Sequence, residues 1–327
     1  MGTLDWVFAE YRADRRYTKL DARTKRNHEV GFRLVGGYVM KDRRRLGTVP
    51  LASITMAATD ALYDKLLIGK DGRERRTTVN HAMKTCRRAW NVAARRNPGK
   101  LPEVNPFAKM GLVSSDRETP TATYTELQAF RAKAGEMGLS SLATAALISW
   151  EWLQREADIF GTFDVAHYRP KERPRAVRVL HAKTGEENWI PLFDDSDMPL
   201  YPELMAELDA IKRERIGGLM LRRDWGERAP WPTWPTPENT DLTHMSRKVK
   251  EIIRAAGLRE ELTFTSFRHG GFTEAADADL SDAQMRAQGR HKSAKVLPTY
   301  AKRTMRQVAE GAQKRRAMRT KADNLSE

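Results

Sequence analysis

Most of this 327-residue sequence repeats its apolar residues every three or four positions, and the pattern breaks into short β-type runs only between residues 162 and 192. A helical period buries one face of a helix, whereas short runs rich in β-branched and aromatic residues suit a strand. The runs are residues 163–165, 177–182 and 188–192, and Lys183-Thr184-Gly185 is the turn expected to join the last two as a hairpin. The chain is therefore expected to be mainly α with one small antiparallel β-sheet.

Its length exceeds one typical domain of roughly 150 residues and points to two. Helices are predicted over residues 4–11, 24–40 and, from a Thr55 cap, on to residue 67. In the next one, over residues 77–96, Val79, Ala82, Met83, Cys86, Ala89, Trp90 and Ala93 form an apolar stripe. Lys84, Arg87, Arg88 and Arg95 fall outside that stripe, and Asn97-Pro98-Gly99 ends the helix. Residues 1–104 read as a helical domain, 105–122 as a proline-containing linker, 123–303 as a second domain, and 304–327 as a C-terminal helix and basic tail.

Thr123, with Glu126 three residues on, forms a capping-box pattern that opens a helix over residues 125–137. Helices are expected over 140–153 and 202–215 and onward to the C-terminus, interrupted by loops around 230–237 and 264–266. In the first of these loops, Trp231 and Trp234 suit either a base-stacking platform or the edge of a core.

With 58 Lys and Arg against 43 Asp and Glu, the formal charge of +15 is spread along the chain. That charge favours a polyanionic partner, with nucleic acid ahead of an anionic membrane or an acidic protein. The sequence lacks an apolar run of about 18 residues, and its N-terminus lacks a signal-like apolar core. These features predict a soluble, intracellular protein. A single cysteine, Cys86, rules out an intrachain disulfide and a multi-thiolate metal site. Neither a phosphate-binding Gly-Lys-Ser/Thr loop nor a His-Glu-x-x-His pair occurs, so chemistry without ATP or a cofactor is expected.

One ordered set of residues suggests that chemistry. Arg155 is followed three residues later by Asp158, and Lys183 lies in the hairpin turn. Arg268 opens a later helix, His291 follows 23 residues on, and Tyr300 is nine beyond that. Singly, each has an ordinary structural explanation: a salt bridge, a solvated turn lysine, a helix cap, a core tyrosine.

In this order, the residues resemble the tyrosine recombinase family, the lambda-type phage integrases and their Xer and Cre relatives. The resemblance covers residues 123–300 and, more loosely, the helical N-terminal part. Arg155 and Asp158 match the first arginine and its acid; Lys183 matches the hairpin lysine before Ile190-Pro191-Leu192. Arg268 matches the second arginine, Gly289 and His291 a Leu-Gly-His-like motif, and Tyr300 the nucleophile. The resemblance implies a helical, SAM-like core-binding domain and an α+β catalytic domain, forming a C-shaped clamp on double-stranded DNA at core or attachment sites.

On this resemblance Arg155 and Arg268 bind the non-bridging phosphate oxygens, Lys183 protonates the leaving 5′-oxygen and His291 donates a hydrogen bond. Two always-charged guanidiniums answer the charge that develops on a phosphodiester under attack. The family usually has a histidine three residues before the second arginine, and here that residue is Thr265. Losing such a partner costs about 10²–10⁴-fold in rate. His269 lies about 100° round the helix from Arg268, an uncertain substitute.

After Tyr300, Met305, Val308, Ala309 and Ala312 form an apolar stripe followed by Lys314, Arg315, Arg316, Arg319 and Lys321. The family packs such a helix on a neighbouring subunit, so a monomer that becomes a homotetramer on synapsed DNA is expected; the alternative is a helix folded back on its own domain. The resemblance further implies a bacterial cytoplasmic, nucleoid-associated protein of a phage or other mobile element, and allows an accessory DNA-bending protein. Two other activities remain open: type IB topoisomerase-like relaxation, and DNA binding alone by a weakened homologue. Many lambda-type integrases also carry a further N-terminal arm-binding domain, which leaves either a simple recombinase or a missing upstream segment.

Overall fold

The computed structural model describes residues 2–69, 71–113, 118–232 and 241–323, with side chains as far as residue 316. The chain divides into two compact units, residues 1–117 and 118–327.

The first unit is helical: α1 (Leu4–Arg12), α2 (Arg15–Thr18), α3 (Ala22–Gly36), α4 (Met56–Leu67) and α5 (Arg76–Arg96). Its N-caps follow from short polar side chains. Thr3, Asp14, Asp21 and Thr55 each accept a backbone N–H of the first turn that follows them. All seven residues of the expected stripe on α5 are buried, against Leu4, Val7, Phe8 and Tyr11 of α1 and Phe32 and Val35 of α3. At about 1.5–3 kcal/mol for each large side chain, this stripe is the main force that folds the unit. Cys86 lies within it, and burial raises its thiol pKa.

The expected linker over 105–122 is a packed segment at both ends. Phe107 is buried in the first core, the Asn105 amide bonds Arg87 O and Asn91 Oδ1, and Thr59 Oγ1 donates to Pro106 O at 2.6 Å. At the other end, Ala122 N–H donates to Ser266 O at 3.1 Å and Glu118 pairs with Lys302 in the second unit. Prolines marked the segment as irregular, but an irregular backbone still packs when its polar groups find partners. Residues 114–117 lie outside the described part.

The second unit comprises α6 (Tyr124–Glu136), α7 (Ser140–Glu151), α8 (Glu156–Gly161), β1 (Ala176–Leu180), β2 (Glu187–Pro191), α9 (Pro202–Glu214), α10 (Thr243–Ala255), α11 (Phe264–Asp277), α12 (Asp282–Gly289), α13 (Leu297–Tyr300) and α14 (Met305–Asp323). The Thr123–Glu126 capping box opens α6. β1 and β2 pair antiparallel, from Ala176 opposite Pro191 to Leu180 opposite Glu187.

Two local expectations are corrected. Residues 163–165 form no strand: Asp164 accepts the Ala166 N–H and turns the chain into a short 3₁₀ segment, leaving only an isolated bridge to Leu219. Residues 264–266 are the first turn of α11 and not a loop, because Ser266 Oγ accepts the Thr263 N–H at 3.0 Å and caps the helix start. Trp231 is fully buried and its indole N–H donates to Ser141 Oγ, so it is a core residue and not a stacking platform. Trp234 lies outside the described residues.

α7 is buried on nearly all sides and α11 packs directly against it. Gly270 and Gly271 permit this approach, since a Cβ at either position would collide with Trp150. The close crossing brings the Arg268 side chain to the chain that leaves α7.

Candidate active site

Beyond α7 the backbone turns sharply. Leu153 takes φ 53°, a left-handed conformation that costs a non-glycine residue about 1–2 kcal/mol. Its carbonyl accepts a hydrogen bond from Arg268 Nη1. Arg155 follows at the N-cap position of α8, with its Nη1 3.0 Å from His181 Nε2. Asp158, one turn into α8, is buried; its Oδ1 accepts the Ala182 N–H at 2.8 Å and ties the turn after β1 to α8. Its Oδ2 is buried without a hydrogen-bond partner among the described residues.

Arg268 is 2% exposed, although a guanidinium is costly to bury. Its Nη2 donates to Gly289 O at 3.0 Å and lies 3.2 Å from His291 Nε2; its Nε is buried with no partner among the described residues. Burial, then the nearby Arg155, lowers its pKa to about 9, while the charge of Asp158 acts in the opposite sense. It therefore stays cationic at neutral pH. Among the described residues neither Arg155 nor Arg268 forms an ion pair with a carboxylate. Carbonyl oxygens and imidazoles hold these cations, leaving their charge available to an anion.

Tyr300, at the end of α13, is half-buried beside them. Its ring centre lies 4.8 Å from that of His269, 5.0 Å from Phe272 and 4.6 Å from His291, with the Arg268 guanidinium carbon 5.2 Å from it. These tilted ring contacts fix the ring, and the guanidinium adds a cation–π contact. Burial and neighbouring cations, Arg268 and Arg155 for His291 and Lys302 and Arg268 for His269, lower both imidazoles to about 4. Both are neutral in the free protein at physiological pH.

This arrangement can be set beside known structures. No protein-family model matches the sequence, and no curated protein matches it. A lambda integrase dimer bound to a COC′ core site superposes with a TM-score of 0.69 at 19% identity, over 92% of this chain and 95% of that one. A lambda integrase tetramer bound to a Holliday junction gives 0.69 at 18% identity, over 91% and 77%. The Tn1549 transposon integrase in complex with circular intermediate DNA gives 0.67 at 16% identity, over 95% and 99%. This chain has the integrase fold.

Within the integrase fold, the hairpin turn carrying Lys183 is clamped from two directions. Arg290, in the left-handed conformation after α12, donates to Val179 O and Glu186 O, and Lys292 pairs with Glu186 at 2.6 Å. Lys183 is exposed in this turn, with no hydrogen bond or ion pair to hold its ammonium among the described residues. Thr265 is half-buried in the first turn of α11, and no described contact links it to Tyr300 or His291. The next residue but three, His269, is the one that packs on Tyr300, because the broad ring spans two adjacent positions of α11.

Three of these partners cannot be seen along the sequence: His181 beside Arg155, Arg290 on the hairpin, and the Leu153 carbonyl on Arg268. Hairpin position and the left-handed turn were the available signals, and neither identifies a partner across the fold. In the first unit, Lys84, Arg87, Arg88 and Arg95 are exposed on α5 with no ion pair among the described residues, whereas Arg96 pairs with Glu10 and Asp14. No helix among the described residues is long and apolar enough to cross a membrane.

Proposed function

We propose that this protein is a site-specific DNA recombinase that breaks and rejoins DNA through a 3′-phosphotyrosine at Tyr300. The observation that carries this reading is a tyrosine packed against one of two guanidiniums that lack carboxylate partners among the described residues. Arg155 and Arg268 would take the non-bridging oxygens of the scissile phosphate and stabilise the charge that grows there. Tyr300 Oη gives up its proton to solvent and forms a bond to phosphorus as the bond to the 5′-oxygen breaks. Lys183 supplies the proton for that oxygen, and His291 donates a hydrogen bond to the phosphate. Attack of a 5′-hydroxyl from another strand reverses the step, so the bond energy is retained.

A duplex nicked near its core site traps such an intermediate. Incubation with the full-length protein should yield a covalent protein–DNA adduct that peptide mapping places on Tyr300. No adduct with cognate DNA would leave DNA binding alone as the function, the reading that Thr265 favours. Relaxation of supercoils with no site requirement would favour a topoisomerase.

The exposed cations of α5 are the proposed DNA-binding face of the first unit. Each phosphate neutralised by a cation releases counterions, so affinity falls steeply with salt. Arg88→Ala with Arg95→Ala should reduce the slope of log affinity against log salt by about 2. A slope equal to that of the wild type would place the contact on another face.

α14 is the proposed contact between subunits. Within the chain it is held by polar groups: Thr304 and Gln307 bond Asp277, and Lys314 pairs with Asp279. Met305 and Val308 remain 83% and 63% exposed, an apolar pair left for a partner. Met305→Ser with Val308→Ser should keep duplex binding within about twofold but lower recombination at least roughly tenfold, because burying two such side chains contributes a few kcal/mol. Recombination at the wild-type rate would end the intersubunit reading.

A further inference from the structure

Gly289, Arg290 and His291 close α12, and each of the three holds a different part of the candidate site. The Gly289 carbonyl accepts from Arg268 Nη2 at 3.0 Å, and the His291 ring packs on Tyr300 with ring centres 4.6 Å apart. Between them the Arg290 backbone is left-handed, with φ 58° and ψ 46°. Glycine or asparagine takes that conformation at a helix end with little strain, whereas other side chains are strained there. The turn by itself therefore gives no reason for an arginine; the contacts of its side chain do.

Arg290 Nη1 donates to Val179 O, in β1, at 3.3 Å, and Nη2 donates to Glu186 O, just before β2. These two acceptors bracket the turn that carries Lys183. A two-stranded hairpin is marginally stable by itself, and β1 and β2 are the whole of their sheet among the described residues. The place of the turn is therefore set from outside it. From α8, Thr162 Oγ1 donates to Leu180 O at 2.7 Å and Asp158 Oδ1 accepts the Ala182 N–H at 2.8 Å, which restrains the β1 end. At the β2 end, the Lys292–Glu186 pair is exposed on both sides, and such pairs contribute little. Arg290 reaches both ends at once.

We infer that Arg290, on the recombinase reading proposed above, is a positioning residue for the general acid. It ties both strands of the hairpin to the turn that carries His291, so that Lys183 Nζ meets the leaving 5′-oxygen as His291 meets the phosphate. Both arms of its fork are taken by carbonyl oxygens, so it acts through Lys183 and not on the phosphate. A general acid must come within hydrogen-bond reach of its oxygen, and a misplacement of about 1 Å costs about 10²-fold in rate. In the step itself, Lys183 Nζ gives one proton to the 5′-oxygen as that oxygen leaves phosphorus, and takes one back from solvent afterwards.

The test is single-turnover cleavage by the full-length protein of two nicked duplexes, one with the natural 5′-oxygen at the scissile phosphate and one with sulfur in its place. A thiol has a pKa of about 8.5 against about 15.7 for water, so a 5′-thiolate leaves without a proton. Arg290→Gly removes the side chain and relieves the left-handed backbone; Arg290→Asn tolerates the same turn and should behave alike. Both should cleave the oxygen substrate about 10–10²-fold more slowly and the sulfur substrate within about threefold of wild type. Lys183→Ala should show the same selectivity, and Lys183→Ala with Arg290→Gly should be no slower than Lys183→Ala alone, because one residue acts through the other. The inference is overturned if the Arg290 variants cleave the oxygen substrate at the wild-type rate, if they are slowed equally on both substrates, or if their effect multiplies that of Lys183→Ala. A wild-type protein that forms no adduct defeats the recombinase reading itself; an adduct with unaffected Arg290 variants defeats only this inference.

Discussion

Tyr300→Phe is expected to abolish the covalent adduct with a nicked core-site duplex, by at least about 10⁴-fold, while leaving DNA affinity and thermal stability nearly unchanged. The substitution removes one oxygen and retains the ring, so the contacts with His269, Phe272 and His291 persist. The Tyr300 hydroxyl has no hydrogen-bond partner among the described residues, so its loss should alter stability by less than about 1 kcal/mol. Gel retardation, a melting curve and denaturing electrophoresis of the adduct separate the three quantities. An adduct that survives in Tyr300→Phe would place the nucleophile on another residue. A large loss of stability would make Tyr300 a structural residue first.

Arg268→Lys should be nearly as damaging to catalysis, with a fall in cleavage rate of about 10²–10³-fold. The guanidinium spans Leu153 O with one nitrogen and Gly289 O and His291 Nε2 with the other. One ammonium on a flexible stem cannot hold these partners and a phosphate together. Charge is conserved, so affinity for duplex DNA should stay within about threefold, since a single phosphate contact is a small part of such binding. The measurement is a single-turnover rate at saturating protein, where weaker binding cannot imitate slower chemistry. Cleavage within threefold of wild type would show that charge alone suffices and that the planar fork has no part in the chemistry.

These expectations depend on features of unequal legibility. The stripe on α5 and the Thr123–Glu126 cap are local: each rests on residues three or four apart, the reach of helical periodicity. The hairpin was equally local. Residues 264–266 were misread because their aromatic and β-branched composition suggests no helix, and a reciprocal cap between Thr263 and Ser266 outweighs such weak propensities. The prolines in residues 105–122 signal irregular backbone and say nothing of what that backbone packs against. Phe107, within that segment, is buried in the first core.

The candidate site divides in the same way. The order of Arg155, Lys183, Arg268, His291 and Tyr300 could be read along the chain, and the resemblance it carries led to the integrase fold. Tyr300 was then one residue in a series. The tertiary structure packs it between His269 and His291 with Arg268 alongside, and it brings His181 to Arg155 across 26 positions of sequence. Helical and strand periods relate only neighbouring turns or paired strands, so residue types, helices, the hairpin and the cationic face of α5 were determined locally. Which imidazole meets which guanidinium depends on helices crossing, on two glycines that let α11 approach α7, and on a left-handed leucine that aims a carbonyl at a buried cation. Those are properties of packing, and only the folded chain decides them.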